Sequence, residues 1–272
     1  MLKDIFPQNA VDLNIIKNNG LLFKYFTTKE KKLYKISDYI GCMSIANKQY
    51  VIDHNSWLNP NKIEIFPNTK KIVDNIKIDS FPLRKRYGIS NETCIFLFGG
   101  NMGRPQCIDL LGEAIKECKD ERGIYFIFVG RGTDRYKLEK KIEEENIKNA
   151  LVIENLPRNE YEQMIKECDV GLIVLDPRFT IPNFPSRILS YMEYAKPVLA
   201  ATDRVTDIKQ LIEKTKCGEW VWSGNVKQFI YKIKEISANR DFLDKGSNGR
   251  KYIENELKIE YSVSILEKHI NN

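Results

Sequence analysis

Short, unbroken runs of apolar residues recur along the middle of the chain, between Cys94 and Trp222. A run without alternating polar positions is typical of a strand that is covered on both faces of its sheet. The sequence therefore predicts six buried strands, which are Cys94–Phe98, Ile124–Val129, Leu151–Ile153, Val170–Leu175, Pro197–Ala201 and Trp220–Trp222.

The segments between these runs have helical spacing. In Cys107–Cys118, for example, Ile108, Leu111 and Ile115 recur three and four residues apart and lie on one helix face. Similar patterns predict helices at Tyr136–Glu145, Asn159–Glu167, Ser186–Tyr194 and Asp207–Lys214. Regular alternation of strand and helix indicates an α/β fold with a doubly wound, Rossmann-like parallel sheet.

The two ends of the chain have different patterns. Residues 1–68 contain a predicted helix at Glu30–Ser37, an apolar run at Tyr39–Ser44, a helix at Ala46–His54 and a strand at Lys62–Phe66. We interpret them as the last units of a second, partial α/β domain. We expect a polar linker at 69–88, the sheet domain at 89–238, and helices at 239–272 that pack back toward the N-terminal part, with a break in this helical region at Gly246–Gly249.

Composition excludes several classes of protein. With 42% hydrophobic and 29% charged residues, the chain of 272 residues is neither disordered nor a coiled coil. It has two histidines and six cysteines without a CxxC pair, which argues against a metal site, redox chemistry and a Ser-His-Asp triad.

The charge and the apolar runs bear on location and ligands. A net charge of +6 suits phosphate-bearing ligands or the anionic inner face of a membrane, and it is too small and scattered for a nucleic-acid binder. We expect a cytoplasmic protein, because no apolar signal peptide or membrane-spanning run is present. Lysines mixed with apolar residues at Phe23–Tyr34 fit peripheral membrane contact and an ordinary solvated helix face equally well.

Three loops at predicted carboxyl ends of strands carry candidate chemistry, because ligands of open parallel sheets bind there. In the first loop, Gly99, Gly100, Asn101, Gly103 and Arg104 follow a strand and precede a helix. The second loop is Gly130–Gly132, with Arg131 at its centre. Glycines let the backbone approach a phosphate closely, but a purely structural turn and a solvated loop arginine account for these residues as well.

The third loop, Asn183–Met192, is the most specific of the three. Pro185, Ser186 and Arg187 stand at the predicted start of a helix, where free N–H groups, a hydroxyl and a fixed cation suit a diphosphate. The alternative is a capped helix with an arginine in solvent.

These segments together resemble a known family. Val170–Leu175, Pro185–Met192 and Lys196–Ala200 resemble the donor-site block of family 4 retaining glycosyltransferases, and Phe98–Gln106 and Phe128–Gly132 resemble their two glycine loops. Upstream, Asp4–Val11, Leu33–Asp38 and Ile65–Asn68 resemble the closing third of their N-terminal domain. The resemblance implies the GT-B fold, in which the C-terminal one of two facing Rossmann-like domains holds the sugar nucleotide. The chain is most similar to a subgroup that builds bacterial surface polysaccharides from UDP-activated sugars.

The resemblance implies a set of site residues and no cofactor or metal. Arg104 and Arg187 would act catalytically by neutralising the leaving diphosphate. The donor would be bound by Gly99, Gly100, Asn101, Gly103, Gly130, Arg131, Asn183, Pro185, Ser186, Arg187, Ile188 and Ser190.

The chain also departs from the family. Two glutamates of the family correspond to Pro182 and Ser190, and an arginine and a lysine of its first loop correspond to Asn101 and Gln106. Glu193 either replaces a missing carboxylate from the same helix face or is solvated.

We therefore expect a glycosyltransferase that moves a sugar from a nucleotide donor, a UDP-sugar, to a glycan or lipid-linked acceptor with retention. Most of the family's N-terminal domain is missing, so either the gene is truncated or a second polypeptide supplies that half. One alternative is a non-catalytic donor-domain remnant or a subunit that needs a partner chain, and turnover with a lipid-linked acceptor, measured alone and with any neighbouring gene product, separates it from the enzyme. Another is an epimerase of the same architecture, which would isomerise a UDP-sugar without an acceptor.

Overall fold

In residues 1–72 and 83–270, which the computed structural model describes, eight strands form two parallel sheets. The larger sheet has the order β5-β4-β3-β6-β7-β8. Its strands are β3 (Cys94–Gly99), β4 (Ile124–Val129), β5 (Ala150–Ile153), β6 (Val170–Val174), β7 (Val198–Thr202) and β8 (Gly218–Trp222). The smaller sheet pairs β1 (Ile40–Cys42) with β2 (Ile63–Ile65), and Leu2 bridges to Cys42 beside it. The predicted α/β class with a doubly wound parallel sheet is confirmed.

Helices follow or precede each strand. Those of the N-terminal part are α1 (Gln8–Asp12), α2 (Leu21–Ile36) and α3 (Ile45–His54). Those around the larger sheet are α4 (Leu83–Tyr87), α5 (Ile108–Glu117), α6 (Arg135–Glu144), α7 (Arg158–Glu167), α8 (Ile188–Glu193) and α9 (Ile208–Thr215), followed by α10 (Val226–Ala238), α11 (Gly246–Glu256) and α12 (Ile259–Ile270).

The larger sheet separates two apolar layers, which is why its strands read as unbroken apolar runs. All six residues of β3 are buried, and they alternate between the layers. Phe96 and Phe98 pack with α5 and α10 on one side, and Ile95 and Leu97 pack with α7, α8 and α9 on the other.

Two helix boundaries differ from the sequence prediction. The helix predicted to begin at Glu30 begins at Leu21, and exposed Leu21 and Leu22 obscure the helical pattern in which Phe23, Phe26 and Thr27 lie half-buried on one face. The predicted break at Gly246–Gly249 is wrong, since both glycines lie in the first turn of α11. They are small because α11 packs closely on α8 and the turn after it: a Cβ atom at Gly246 would lie 1.9 Å from the Ala195 carbonyl oxygen.

The last helix lies against the N-terminal part of the chain. The Ser262 hydroxyl is 2.8 Å from that of Thr69, and the His269 imidazole is 2.6 Å from the Glu64 carboxylate. The predicted linker at 69–88 falls partly on residues 73–82, which lie outside the described residues. At its end, α4 buries Leu83 in the core of the larger sheet.

Residues 1–68, termed the N-terminal unit below, dock on loops at the carboxyl edge of the larger sheet through two carboxylates. Asp207 accepts hydrogen bonds from the Ser44 hydroxyl at 2.8 Å and the Ala46 N–H at 2.7 Å, and so caps α3. Asp12 accepts one from the Thr180 N–H at 2.7 Å. These contacts satisfy donors on both sides of the junction.

Asp203 follows β7 near this junction and is fully buried. Its Oδ1 accepts the N–H groups of Val205 and Thr206 at 2.9 and 2.8 Å, while Oδ2 has no partner among the described residues. Burial raises the pKa of Asp203 from 3.8 to about 6, and the nearby charge of Asp12 adds to the rise, against the opposing effect of the hydrogen bonds.

We expect Asp203→Asn to stabilise the protein at neutral pH. Between about pH 4 and 6 the folded state keeps a proton that the unfolded state has lost, so the free energy of unfolding falls as pH rises. Asparagine keeps the carbonyl oxygen for both N–H groups and removes the charge. A gain of up to about 3 kcal/mol is expected at pH 7 and none at pH 4. Urea denaturation at both pH values measures it, with exposed Asp120→Asn as control. An equal gain at both pH values would contradict the assignment.

We expect Gly246→Ala to lower the free energy of unfolding by about 1–3 kcal/mol, because the added methyl group would overlap the Ala195 carbonyl. Gly123→Ala is the matched control, since a Cβ atom there meets nothing within 4 Å. Thermal or urea denaturation of both variants tests this packing, and equal stability of the two would refute it.

Candidate functional site

The three loops singled out in the sequence meet at one edge of the larger sheet. They follow β3, β4 and β6, which are neighbours in the order β4-β3-β6 and run parallel. Their carboxyl ends therefore face the same side, and the side chains of these loops come together there.

The first two loops are interlocked through their backbones. The Gly100 N–H donates to the Val129 carbonyl at 2.8 Å, and the Met102 N–H donates to the Arg131 carbonyl at 2.7 Å. Gly130 has a φ of +149°, and a Cβ atom on it would lie 1.8 Å from the Gly100 carbonyl oxygen. Close packing of the second loop on the first is therefore sufficient to explain the glycine at 130. This agrees with the alternative in which the glycine serves a purely structural turn.

The glycines of the first loop make room for two side chains from other elements. A Cβ atom on Gly99 would lie 1.9 Å from the Tyr161 hydroxyl oxygen, which α7 places over this position. Gly100 has a φ of +126°, and a Cβ atom on it would lie 3.1 Å from Nη2 of Arg187. The first glycine loop is therefore shaped around Tyr161 and Arg187.

Arg187 is a half-buried cation without a counter-charge among the described residues. Its guanidinium lies over the Phe98 ring, 4.4 Å from the ring centroid, and Nη1 is buried with no hydrogen-bond partner. Among the described residues it forms no ion pair. Burial lowers the pKa of Arg187, while the Tyr191 and Tyr161 hydroxyls act in the opposite direction. A charged group removed from water without a partner raises the free energy of the protein. Binding of an anion beside Arg187 is therefore favoured.

The structure corrects the local conformation expected around Arg187. The helix begins at Ile188, two residues after the predicted Ser186, and Pro185, Ser186 and Arg187 form a turn before it. The turn is closed by hydrogen bonds from residues three positions on, such as the Ile188 N–H to the Pro185 carbonyl at 3.2 Å. Ser186 is exposed in the turn, and Ile188 is buried in the core beneath it.

The segment directly before this turn is held by the loop that follows β7 and by the N-terminal unit. The Thr206 hydroxyl donates to the carbonyl of Asn183, and the Asn47 side-chain amide donates to the Pro182 carbonyl at 3.2 Å. Asn183 is thus fixed through its backbone.

Ser190 and Glu193 share one face of α8, and Lys70 contacts both of them. The Lys70 ammonium donates to the Ser190 hydroxyl at 3.3 Å and forms an ion pair with Glu193. Glu193 is 5% exposed, so the interpretation of this residue as solvated is wrong. Its carboxylate anchors the segment that leaves the N-terminal unit.

The remaining candidates at the loops are exposed or bonded locally. Arg104 is exposed in a short 3₁₀ turn, and Arg131 is exposed with Nε 3.5 Å from a Glu154 carboxylate oxygen. The Asn101 amide and the Gly103 N–H both donate to the side chain of Gln106, at 3.3 and 3.2 Å. Asn101 and Gln106, which correspond to an arginine and a lysine of the resembling family, are therefore hydrogen-bonded to each other.

Sequence reasoning missed Phe98, Tyr161 and Lys70. Phe98 reads as one more core residue of β3, and Tyr161 as part of an amphipathic helix. Phe98 directly precedes two glycines, at the end of the strand that lies closest to the loops. This position is the signal that could have identified Phe98 as a site residue.

No group of three or more His, Cys, Asp or Glu side chains in the described residues is placed to hold a metal ion. No helix in the described part of the chain combines the length and apolar character needed to cross a bilayer.

The chain is similar to known proteins at low sequence identity. It is 24% identical over 226 residues to the probable glycosyltransferase WbjE of Pseudomonas aeruginosa, covering 80% of this chain and 54% of that protein. It is 24% identical over 156 residues to the putative colanic acid biosynthesis glycosyl transferase WcaI of Escherichia coli K12, covering 54% of this chain and 37% of that protein. The chain thus spans about half or less of the length of these relatives.

A solved structure shares the fold. The Anabaena protein Alr3699/HepE, crystallised with UDP and glucose, superposes with a TM-score of 0.75 at 15% identity, over 91% of this chain and 67% of that one. The family model for "Glycosyl transferases group 1" matches residues 79–255, which include all three loops and Arg187. The chain belongs to the group 1 glycosyl transferases.

Proposed function

We propose that this chain binds a nucleotide sugar, a UDP-sugar, at the three loops and transfers the sugar to a glycan or lipid-linked acceptor. The observation that carries the proposal is the unpaired guanidinium of half-buried Arg187, whose Nη1 atom is buried without a hydrogen-bond partner. A nucleoside diphosphate supplies the negative charge that this position lacks, and the loops around it lie at the sheet edge where ligands of such folds bind.

Pairing distinguishes Arg187 from the other arginines of the loops. Arg178 is neutralised by Asp176 through two hydrogen bonds of 2.8 Å, and Arg131 lies near Glu154 in solvent. An exposed or neutralised cation gains little from a second anion, because water and the first partner already satisfy it. Arg187 therefore contributes most to diphosphate binding, and exposed Arg104 adds a second positive charge from the first loop.

The same charge serves catalysis. When the bond between the sugar C1 atom and the diphosphate oxygen breaks, its electron pair leaves on the diphosphate. Arg187 stabilises that charge from a position fixed before the reaction, which lowers the barrier. The acceptor oxygen then bonds to C1 and loses its proton. Retention of configuration and independence from metal and cofactor follow from the resemblance to family 4 and complete the proposal.

The comparisons support the choice of donor and pathway. HepE was crystallised with UDP and glucose, and WcaI is named for colanic acid biosynthesis. The first favours a UDP-sugar donor for this chain. The second favours a role in surface polysaccharide assembly, at the cytoplasmic face of the membrane. Exposed Leu21, Leu22 and Tyr25 beside lysines on α2 are suited to peripheral contact with that face.

A second candidate function is a donor-binding subunit that needs a partner chain. The smaller sheet has two strands of three residues, and α2 leaves Leu33 and Ile36 exposed. On α12, Val263, Leu266 and Ile270 form an exposed apolar stripe. A second polypeptide that completes the domain at 1–68 would cover these surfaces. The proposed donor domain at 89–238 and the helices at 239–272 would then form the other half.

We expect Arg187→Ala to weaken UDP binding about 30- to 150-fold, from the loss of about 2–3 kcal/mol of charge-assisted hydrogen bonding. Isothermal titration calorimetry of the chain with UDP measures it, with GDP and ADP as ligands that test the base. Arg122→Ala is the matched control, because this exposed arginine precedes β4 at the opposite edge of the sheet.

Equal UDP affinity in Arg187→Ala and the unaltered chain would refute the role of Arg187. Absence of binding to UDP, GDP and ADP would contradict the donor site itself. Selective UDP binding, followed by transfer to a lipid-linked acceptor only when a second chain is added, would favour the subunit over the complete enzyme.

A further inference from the structure

The Arg187 guanidinium lies over the Phe98 ring. The guanidinium carbon lies 4.4 Å from the ring centroid, within the range of a cation–π interaction. Phe98 itself is fully buried at the end of β3, so its ring is fixed by the core and offers a rigid surface.

An aromatic face holds a cation in a different way from a carboxylate. The ring quadrupole attracts the guanidinium but adds no net charge, so the positive charge remains available to an anion. Asp176 shows the opposite arrangement, because its carboxylate neutralises Arg178 through two hydrogen bonds. Arg187 is therefore both fixed in place and left unneutralised.

The other neighbours of the guanidinium complete this support. Gly100 leaves space beside Nη2, and the Tyr161 and Tyr191 side chains lie close enough to interact electrostatically. Burial raises the pKa of Tyr161 to about 12, so its hydroxyl is neutral at physiological pH and adds no counter-charge. The surroundings of Arg187 thus supply dipoles and an aromatic face.

We propose that Phe98 is a positioning residue of the donor site, which holds Arg187 in the orientation that binds the diphosphate of the nucleotide sugar. This inference rests on the proposed function. Phe98 is a core residue, and it affects ligand affinity through its contact with Arg187.

Phe96 provides a matched control within the same strand. It lies two residues before Phe98 on the same face of β3 and is equally buried in the same apolar layer. Its ring stacks on Phe126, with ring centroids 5.7 Å apart, rather than on a cation. Replacement of either phenylalanine by leucine therefore perturbs the core similarly, and only one replacement removes the aromatic face under Arg187.

The experiment compares UDP with uridine, which lacks the diphosphate, by calorimetric titration of Phe98→Leu and Phe96→Leu. We expect Phe98→Leu to lower UDP affinity about five- to tenfold while uridine affinity stays within twofold. Phe96→Leu should leave the ratio of the two affinities unchanged. If Phe98→Leu does not fold, Phe98→Met keeps the side-chain volume and serves the same comparison.

A double-mutant cycle separates positioning from general damage to the core. In the Arg187→Ala background, Phe98→Leu should have no further effect on the ratio of UDP to uridine affinity. The proposal is overturned if the ratio in Phe98→Leu equals that of the unaltered chain, or if it falls equally in the Arg187→Ala background. Failure of the unaltered chain to bind UDP would instead refute the proposed function, and with it this inference.

Discussion

The structure of the candidate site depends on one constraint, which is a positive charge partly removed from water without a negative partner among the described residues. A buried guanidinium is stable only if dipoles, an aromatic face or a bound anion replace its hydration. Phe98 lies under it, Gly100 leaves room beside it, and the Tyr161 hydroxyl occupies the space over Gly99. Gly99 and Gly100 are thus a consequence of where Tyr161 and Arg187 lie, and the glycine at 130 follows from how the second loop packs on the first.

A single short helix connects this charge to the rest of the molecule. Helix α8 begins directly after Arg187 and ends at Glu193, which pairs with Lys70 from the segment that leaves the N-terminal unit. On its other side α11 packs closely enough that Gly246 and Gly249 are required. A six-residue helix is too short to be stable alone, so tertiary contacts define the position of Arg187.

The sequence predicted the larger sheet well and the charge state of its site poorly, for physical reasons. Buried parallel strands such as Ile124–Val129 leave an unbroken apolar run, and their boundaries followed from it. The break placed at Gly246 was wrong because glycine signals both turns and close packing, and only the contact with Ala195 distinguishes them. That Arg187 would have no counter-charge could not be predicted, since it depends on which carboxylates reach it from distant segments. The candidate loops were found, but Phe98 and Lys70 act through contacts that have no sequence pattern.

The loop between β6 and α8 is held from both sides, which links the two units at the site. On the sheet side, the Asp176 N–H donates to the Pro105 carbonyl in the first loop at 2.9 Å. On the other side, Asp12 binds Thr180, and Ile5 and Leu13 pack on this loop. A movement of the N-terminal unit therefore displaces the segment that leads directly to Arg187. For the proposed transfer from a donor on one unit to an acceptor on the other, this connection would make the diphosphate contact depend on the placement of the acceptor side.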